Sequence, residues 1–290
     1  MKYLIAVLIL FLLSCSSRRK ERAHVQVKSG EVNITYDLKA NGDTAIVFVH
    51  GWAINKEYWQ SQEELLSTRF TTVAIDLGGH GQSGRNRNSW TVYDYAKDVI
   101  AVLDALKLDK VILVGHSMSG DVVTAVTDSI PARVIGLIGI DNFKSIITSY
   151  SKEEQQGIAA FLNTVHTNYD SAITAFSYAS LFPPKYPDSA LMKRVVKDIL
   201  KTDTTVSINT LNAIIQNELT AGERLTKVKI PVHVITSDYA PVNRSVMEKY
   251  CTAGFKEKII RGTGHYPMIE QPAEFNRLLL ETINDIAVGK

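Results

Sequence analysis

The chain has 290 residues, 45% of them hydrophobic, and a formal net charge of +2. That length supports one large core, or a core carrying an insertion. The balanced charge, with no basic stripe, argues against nucleic acid as a partner.

Met1 and Lys2 precede an unbroken apolar run of eleven residues, Tyr3 to Leu13. Such a run suits the core of a signal peptide and is too short to span a bilayer. It closes on Leu12-Leu13-Ser14-Cys15, a small residue directly before a cysteine. This resembles a bacterial lipoprotein processing site, with lipid on the Cys15 sulfur; an ordinary secretory signal with an incidental Cys15 is the alternative. The expectation is a signal peptide over 1–14, then lipidated Cys15 and a polar tether over 15–31. Lipid would hold the protein on a membrane of the bacterial cell envelope, facing periplasm or exterior, without a spanning helix. Cys251 is the other cysteine, so acylation of Cys15 leaves no internal disulfide.

Val25–Val27 and Val32–Tyr36 alternate and predict a hairpin at a sheet edge. Asn41-Gly42-Asp43 marks a turn, and Ala45–Val49 is a short β-rich run ending at His50-Gly51. A helix is expected over Lys56–Leu66 and a strand over Thr71–Leu77. Thr91–Leu106 has helical spacing, with Val92, Tyr95, Ala96, Val99, Val102, Leu103 and Leu106 on one apolar face. Strand Val111–Val114 leads into helix Gly120–Ser129. Val134–Ile140, Val232–Ile235 and Lys258–Ile260 are further apolar runs, and Glu274–Ile286 reads as the final helix. Strands alternating with helices predict an α/β protein with a mostly parallel, doubly wound sheet.

The alternation breaks between about Asn142 and Lys229, where the pattern is mostly helical. A helical lid is predicted over 143–212, inserted after the sixth core strand, with 32–142 and 213–290 as the core. Such an insertion would cover the carboxyl ends of the strands, where ligands bind in open α/β sheets. Its aromatics, among them Phe161, Phe176 and Phe182, are expected mainly to pack it onto the core.

Gly115-His116-Ser117-Met118-Ser119-Gly120 directly follows the apolar run Val111–Val114. A serine held by small residues between strand and helix sits on a sharp turn that exposes its hydroxyl, which makes Ser117 the candidate nucleophile. A serine hydroxyl is weak unless a base and an orienting acid support it. His265, in Gly262-Thr263-Gly264-His265, is the candidate base. His50, His80 and His116 lie in loop motifs and are expected to brace backbone. No histidine pair has helical zinc spacing, so no metal is expected. The N–H groups of Trp52 and Met118 are candidates for an oxyanion hole.

Taken in order, His50-Gly51-Trp52, Asp76 to Ser83, Gly115 to Gly120 and Gly264 to Pro272 resemble the α/β-hydrolase superfamily over roughly residues 32–286. The resemblance implies an α/β-hydrolase fold, a Ser-His-Asp triad and an architectural role for the Asp76–Ser83 loop. Two departures stand out. Ser119 occupies a position where glycine is usual. The position nine residues after the proline opening the seventh core strand, where many members carry the acid, is Ala240. Asp238 lies two residues earlier and would need a shortened loop to reach His265. Asp141, at the end of the sixth strand, is the other candidate acid and is preferred; haloalkane dehalogenases resemble that arrangement.

A serine nucleophile excludes dehalogenase and epoxide-hydrolase chemistry, which need a carboxylate there. The expectation is hydrolysis of small carboxylic esters, thioesters or lactones through an acyl-enzyme, with no cofactor. Carbon–carbon bond hydrolysis or cofactor-free chemistry on the same triad is an alternative, and a weakly catalytic ligand-binding protein is another.

Overall fold

The computed structural model describes residues 25–288. Cys15, the apolar N-terminal run and most of the expected tether lie outside the described residues. Among the described residues eight strands, β1 (Val25–Ser29), β2 (Val32–Lys39), β3 (Ala45–Val49), β4 (Thr71–Ile75), β5 (Val111–His116), β6 (Val134–Ile140), β7 (Val232–Ser237) and β8 (Phe255–Ile260), make one sheet. Their order across it is β1-β2-β4-β3-β5-β6-β7-β8. The β1–β2 and β2–β4 pairs are antiparallel, and every other pair is parallel. β1 pairs residue for residue with β2, so the sheet already begins inside the 15–31 segment.

The central strands are continuous apolar runs because they are covered on both faces. β3 is buried at all five positions and β5 at all six. Two groups of helices flank the sheet. α2 (Val92–Ala105) packs with α3 (Ser119–Ser129), while α1 (Gln60–Leu66) packs with α11 (Pro272–Val288). α2 shows how local chemistry sets its limits. Thr91 accepts from the Asp94 amide while the Asp94 carboxylate accepts from the Thr91 amide, a reciprocal cap that satisfies two orphan donors. Its apolar stripe, Tyr95, Val99, Val102 and Leu103, is buried.

The expected helix over Lys56–Leu66 is divided into a 3-10 turn at Lys56–Trp59 and then α1. Asp76 lies beneath that turn, accepting from the Lys56 amide at 2.8 Å and its ammonium at 3.1 Å. The strand expected to Leu77 ends at Ile75, because the Leu77 amide turns aside to His50 Nε2 at 3.1 Å.

Between β6 and β7 the chain forms α4 (Lys152–Thr167), α5 (Tyr169–Ser180), α6 (Ser189–Lys201), α7 (Thr204–Glu218) and α8 (Ala221–Lys227), and α9 (Arg244–Tyr250) follows β7. α7 is continuous through position 212. Among the described residues, no helix is long and apolar enough to cross a membrane.

Register decides where the loops meet. Val49 of β3 lies opposite Gly115 of β5, which lies opposite Gly139 of β6; Ile140 lies opposite Ile235 of β7. The carboxyl ends of β3, β5 and β6 therefore finish nearly level, β7 runs two residues beyond them, and their loops share one rim of the sheet.

Candidate active site

β5 ends at His116 and α3 begins at Ser119, so the chain reverses through Ser117 and Met118. Ser117 has φ +54°, a left-handed conformation that costs energy for a residue with a side chain. Close packing needs the neighbouring glycines. A Cβ on Gly115 would lie 2.1 Å from the Ser119 carbonyl oxygen. A Cβ on Gly51 would lie 2.6 Å from His116 Nδ1. Ser119 is fully buried and its hydroxyl donates to the His50 carbonyl, fastening the start of α3 to the loop after β3. The Ser117 amide donates to Ile140 O at 2.9 Å, which pins the turn to β6.

His265 stands in the loop between β8 and α10 (Pro267–Glu270), 148 positions from Ser117. Its Nε2 is 2.9 Å from Ser117 Oγ and its Nδ1 is 2.6 Å from Asp141 Oδ2. Asp141 follows β6, has φ +48° and a fully covered side chain. Its Oδ1 accepts from the Ser237 amide at 2.9 Å, the Ser237 hydroxyl at 2.8 Å and the Thr236 hydroxyl at 3.2 Å. Oδ2 also accepts from Lys144 Nζ at 2.6 Å. Burial opposes charge on this carboxyl, but the His265 hydrogen bond and charge and the Lys144 ammonium outweigh it. Asp141 is held well below the usual carboxylate range and stays ionised.

Asp238 lies elsewhere. It is exposed, and its Oδ1 accepts from the Gly262 amide at 2.9 Å, bracing the loop that leads to His265. His116 Nε2 is 2.7 Å from the His265 carbonyl oxygen. Burial, followed by the nearby His265, pushes the His116 ring well below the ordinary imidazole value, so it is neutral and donates there. His50 Nδ1 bonds the Gly51 carbonyl at 2.7 Å, and burial brings that ring down to about 4. His80 is likewise a neutral brace, 3.0 Å from the Gly78 carbonyl.

Trp52 and Met118 both reach the rim, and their backbone amides have no acceptor among the described residues. The Trp52 indole does have one: its Nε1 donates to Ser207 O of α7 at 2.9 Å. Two cavities adjoin Ser117 and His265. One, of about 370 Å³, is bounded by Trp52 and by Phe176, Leu181, Leu211 and Ile214 from the segment between β6 and β7. The other, of about 150 Å³, is bounded by Met118, Asp121, Asn142 and Glu218. Among the described residues, no group of three His, Cys, Asp or Glu side chains is placed to hold a metal. Cys251 is buried away from any disulfide, and burial pushes its thiol up to about 12.

Two supporting residues escape sequence reasoning. Glu270 straddles His265, accepting from the Gly264 amide at 2.6 Å and the Tyr266 amide at 2.7 Å. It stands inside the Gly264–Pro272 stretch, five residues after the histidine, and that spacing was its available signal. Lys144 pairs with Asp141 three residues earlier. An acid and a lysine at that spacing are common enough to carry no signal alone.

A family model described as alpha/beta hydrolase fold matches residues 44–272. The 3-oxoadipate enol-lactonase 1 of Acinetobacter baylyi is 25% identical over 87% of this chain and 94% of its own length. The karrikin insensitive 2 receptor CA of Petunia hybrida is 22% identical over 89% of this chain and 100% of its own. The solved thermophilic esterase of Thermogutta terrifontis superposes with a TM-score of 0.77 at 20% identity, covering 91% of this chain and 98% of the esterase.

Proposed function

The chain belongs to the α/β-hydrolase fold family, and from that premise we propose a serine hydrolase that cleaves small carboxylic esters, thioesters or lactones through an acyl-enzyme. The observation that carries this reading is the unbroken series Ser117 Oγ, His265 Nε2, His265 Nδ1, Asp141 Oδ2, at 2.9 Å and 2.6 Å. The names of an enol-lactonase relative and an esterase neighbour agree with it.

In this reading His265 Nε2 takes the Ser117 proton as Oγ attacks the substrate carbonyl. Asp141 holds the ring and stabilises its cation. The developing oxyanion accepts from the Trp52 and Met118 amides, the second of which heads α3 and adds the positive end of the helix. The tetrahedral intermediate collapses, the carbon–oxygen (or carbon–sulfur) bond breaks, and His265 protonates the leaving group. Water, deprotonated by the same imidazole, attacks the acyl ester, releases the acid and restores Ser117. The helices between β6 and β7 act as the lid that shapes the pocket.

The test is Ser117→Ala. It removes turnover of activated short-chain esters, with kcat down by at least about 10³-fold, and it removes labelling by a fluorophosphonate probe. Wild-type rates in that variant defeat the proposal. The full-length match to a receptor favours one other reading, a ligand-binding protein with little turnover. A protein labelled slowly, or not at all, by the probe while binding small lactones would favour that reading.

Lipid on Cys15 would anchor the enzyme to the bacterial cell envelope. The support is the run Tyr3–Leu13 followed by Ser14-Cys15. Mass spectrometry of the N-terminal peptide, with Cys15→Ala shifting the protein from the membrane to the soluble fraction, tests it.

A further inference from the structure

The apolar surface at Ser117 continues beyond the larger cavity. A third cavity, of about 470 Å³, lies between α4, α5 and α7. Its walls include Ile158 and Phe161 of α4, Phe176 of α5, and Leu211, Ile214 and Ile215 of α7. Phe176, Leu211 and Ile214 also line the larger cavity at Ser117, so the two spaces share a wall. Phe176, which is half-buried, stands at the divide. Its ring centroid is 6.4 Å from that of Trp52, which faces the Ser117 side, and 5.4 Å from that of Phe161, which faces the far side.

The far space is kept both open and apolar. Gly157 lines it from the interior of α4, where glycine weakens a helix relative to alanine. No neighbouring group lies within 4 Å of the place a Cβ on Gly157 would take, so packing inside the protein does not demand glycine there. What the glycine does is leave room in the cavity. The polar groups at the edge are already engaged. The Tyr150 hydroxyl donates to Glu218 Oε2 at 2.6 Å and lies 2.8 Å from Ile215 O. Glu154 Oε2 accepts from the Ser151 amide at 2.7 Å, capping α4. What the space offers a ligand is therefore apolar side-chain surface, and an uncovered patch of that kind marks a binding groove.

Resting on the ester-hydrolase reading, we infer that the substrate carries an alkyl chain of medium length, which runs from the larger cavity past Phe176 into the space between α4 and α7 and ends in a methyl group beside Gly157. The shared wall argues for this occupant. A chain whose ester carbonyl sits at Ser117 fills the 370 Å³ cavity first and then meets apolar side chains on both sides of Phe176. A short acyl or alkyl group stays on the Ser117 side and gains nothing from the far space. Each further methylene taken out of water is worth about fourfold in affinity. Glu154 and Glu218 border the far space, so a chain ending in a carboxylate is disfavoured there.

Two matched ester pairs test this. 4-Nitrophenyl octanoate against 4-nitrophenyl butanoate puts the chain on the acyl half. Octyl acetate against butyl acetate puts it on the alcohol half. In the wild type, the longer member of one pair has a kcat/KM at least about tenfold higher. Gly157→Leu plants a side chain in the far space and brings that ratio to within about twofold. It does so without lowering the melting temperature, because leucine favours a helix more than glycine does. Ile215→Gln, which sets a carboxamide in the same wall, also lowers the ratio, by at least about threefold. Equal rates within both pairs, or a ratio that survives both substitutions, overturn the inference and leave the far space to a group outside the reaction. If no ester turns over at all, the hydrolase reading fails instead. Calorimetry with the intact esters then decides the inference separately: it stands if the longer ester of one pair binds at least about tenfold more tightly and Gly157→Leu abolishes the difference, and falls otherwise.

Discussion

Asp141 and Asp238 follow neighbouring parallel strands and belong to the same rim, yet they do different work. Asp141 leaves β6 with a left-handed φ of +48°, and its carboxylate is sealed between the ring of His265 and the Thr236-Ser237 end of β7. Asp238 continues past β7 into solvent and fastens the Gly262 amide. One carboxylate holds the imidazole, and the other holds the loop on which that imidazole travels. The difference lies in backbone direction at the strand end. A reversal at β6 turns the side chain inward, and β7, running two residues further before its aspartate, carries its own outward.

The sharpest attack on this contrast is Asp141→Asn. It should lower kcat/KM for a hydrolysed ester by about 10³–10⁴-fold, since a neutral amide supports the wrong tautomer and no imidazolium. If Asp238→Asn produced that loss instead, the two roles would be exchanged.

Glu270→Gln comes next in size. The carboxylate serves two amides that flank His265, and a carboxamide turns an NH₂ toward one of them. A loss of about 1–3 kcal/mol in stability is expected, measured by chemical denaturation, together with a fall in kcat as the loop loosens. Unchanged stability would mean that the loop is held by other contacts.

Acid titration refines the picture further. Asp141 is held below its ordinary value of 3.8, so its contribution to stability is complete above that pH. It is lost as the pH falls below 3.8 toward the folded-state value, where the folded protein resists protonation and the unfolded chain does not. Urea midpoints followed down through this range should fall less steeply in Asp141→Asn than in the wild type. Asp238→Asn should have the smallest effect, within about threefold in kcat/KM, because an exposed side-chain oxygen can still accept from Gly262.

Much of the frame was legible because the apolar runs are long and sharply bounded. Ala45–Val49 and Val134–Ile140 form strands over the residues their composition marks out, and Thr91–Leu106 brackets α2 together with its caps. Where polar side chains bond across the chain, local pattern was a poorer guide. The division of Lys56–Leu66 depends on Asp76, twenty residues on, and the early end of β4 depends on His50. At the rim, Ser117 and His265 stand in recognisable motifs, and Asp141 stands at the end of the sixth strand. The choice between Asp141 and Asp238 rests on a backbone angle that one-letter codes do not record. Glu270 and Lys144 were passed over for a related reason: their importance comes from which atoms they touch.

Trp52 offers a consequence for engineering. Its main chain belongs to the serine's surroundings, while its indole is moored to Ser207 of α7, and the His265 amide donates to Leu181 O at 2.9 Å, just beyond α5. The sheet and the segment between β6 and β7 therefore do not behave as interchangeable modules. A chimaera that imports the helices of another hydrolase onto this sheet will also have to import matching partners for Trp52 and His265, or accept a reaction centre released from its moorings.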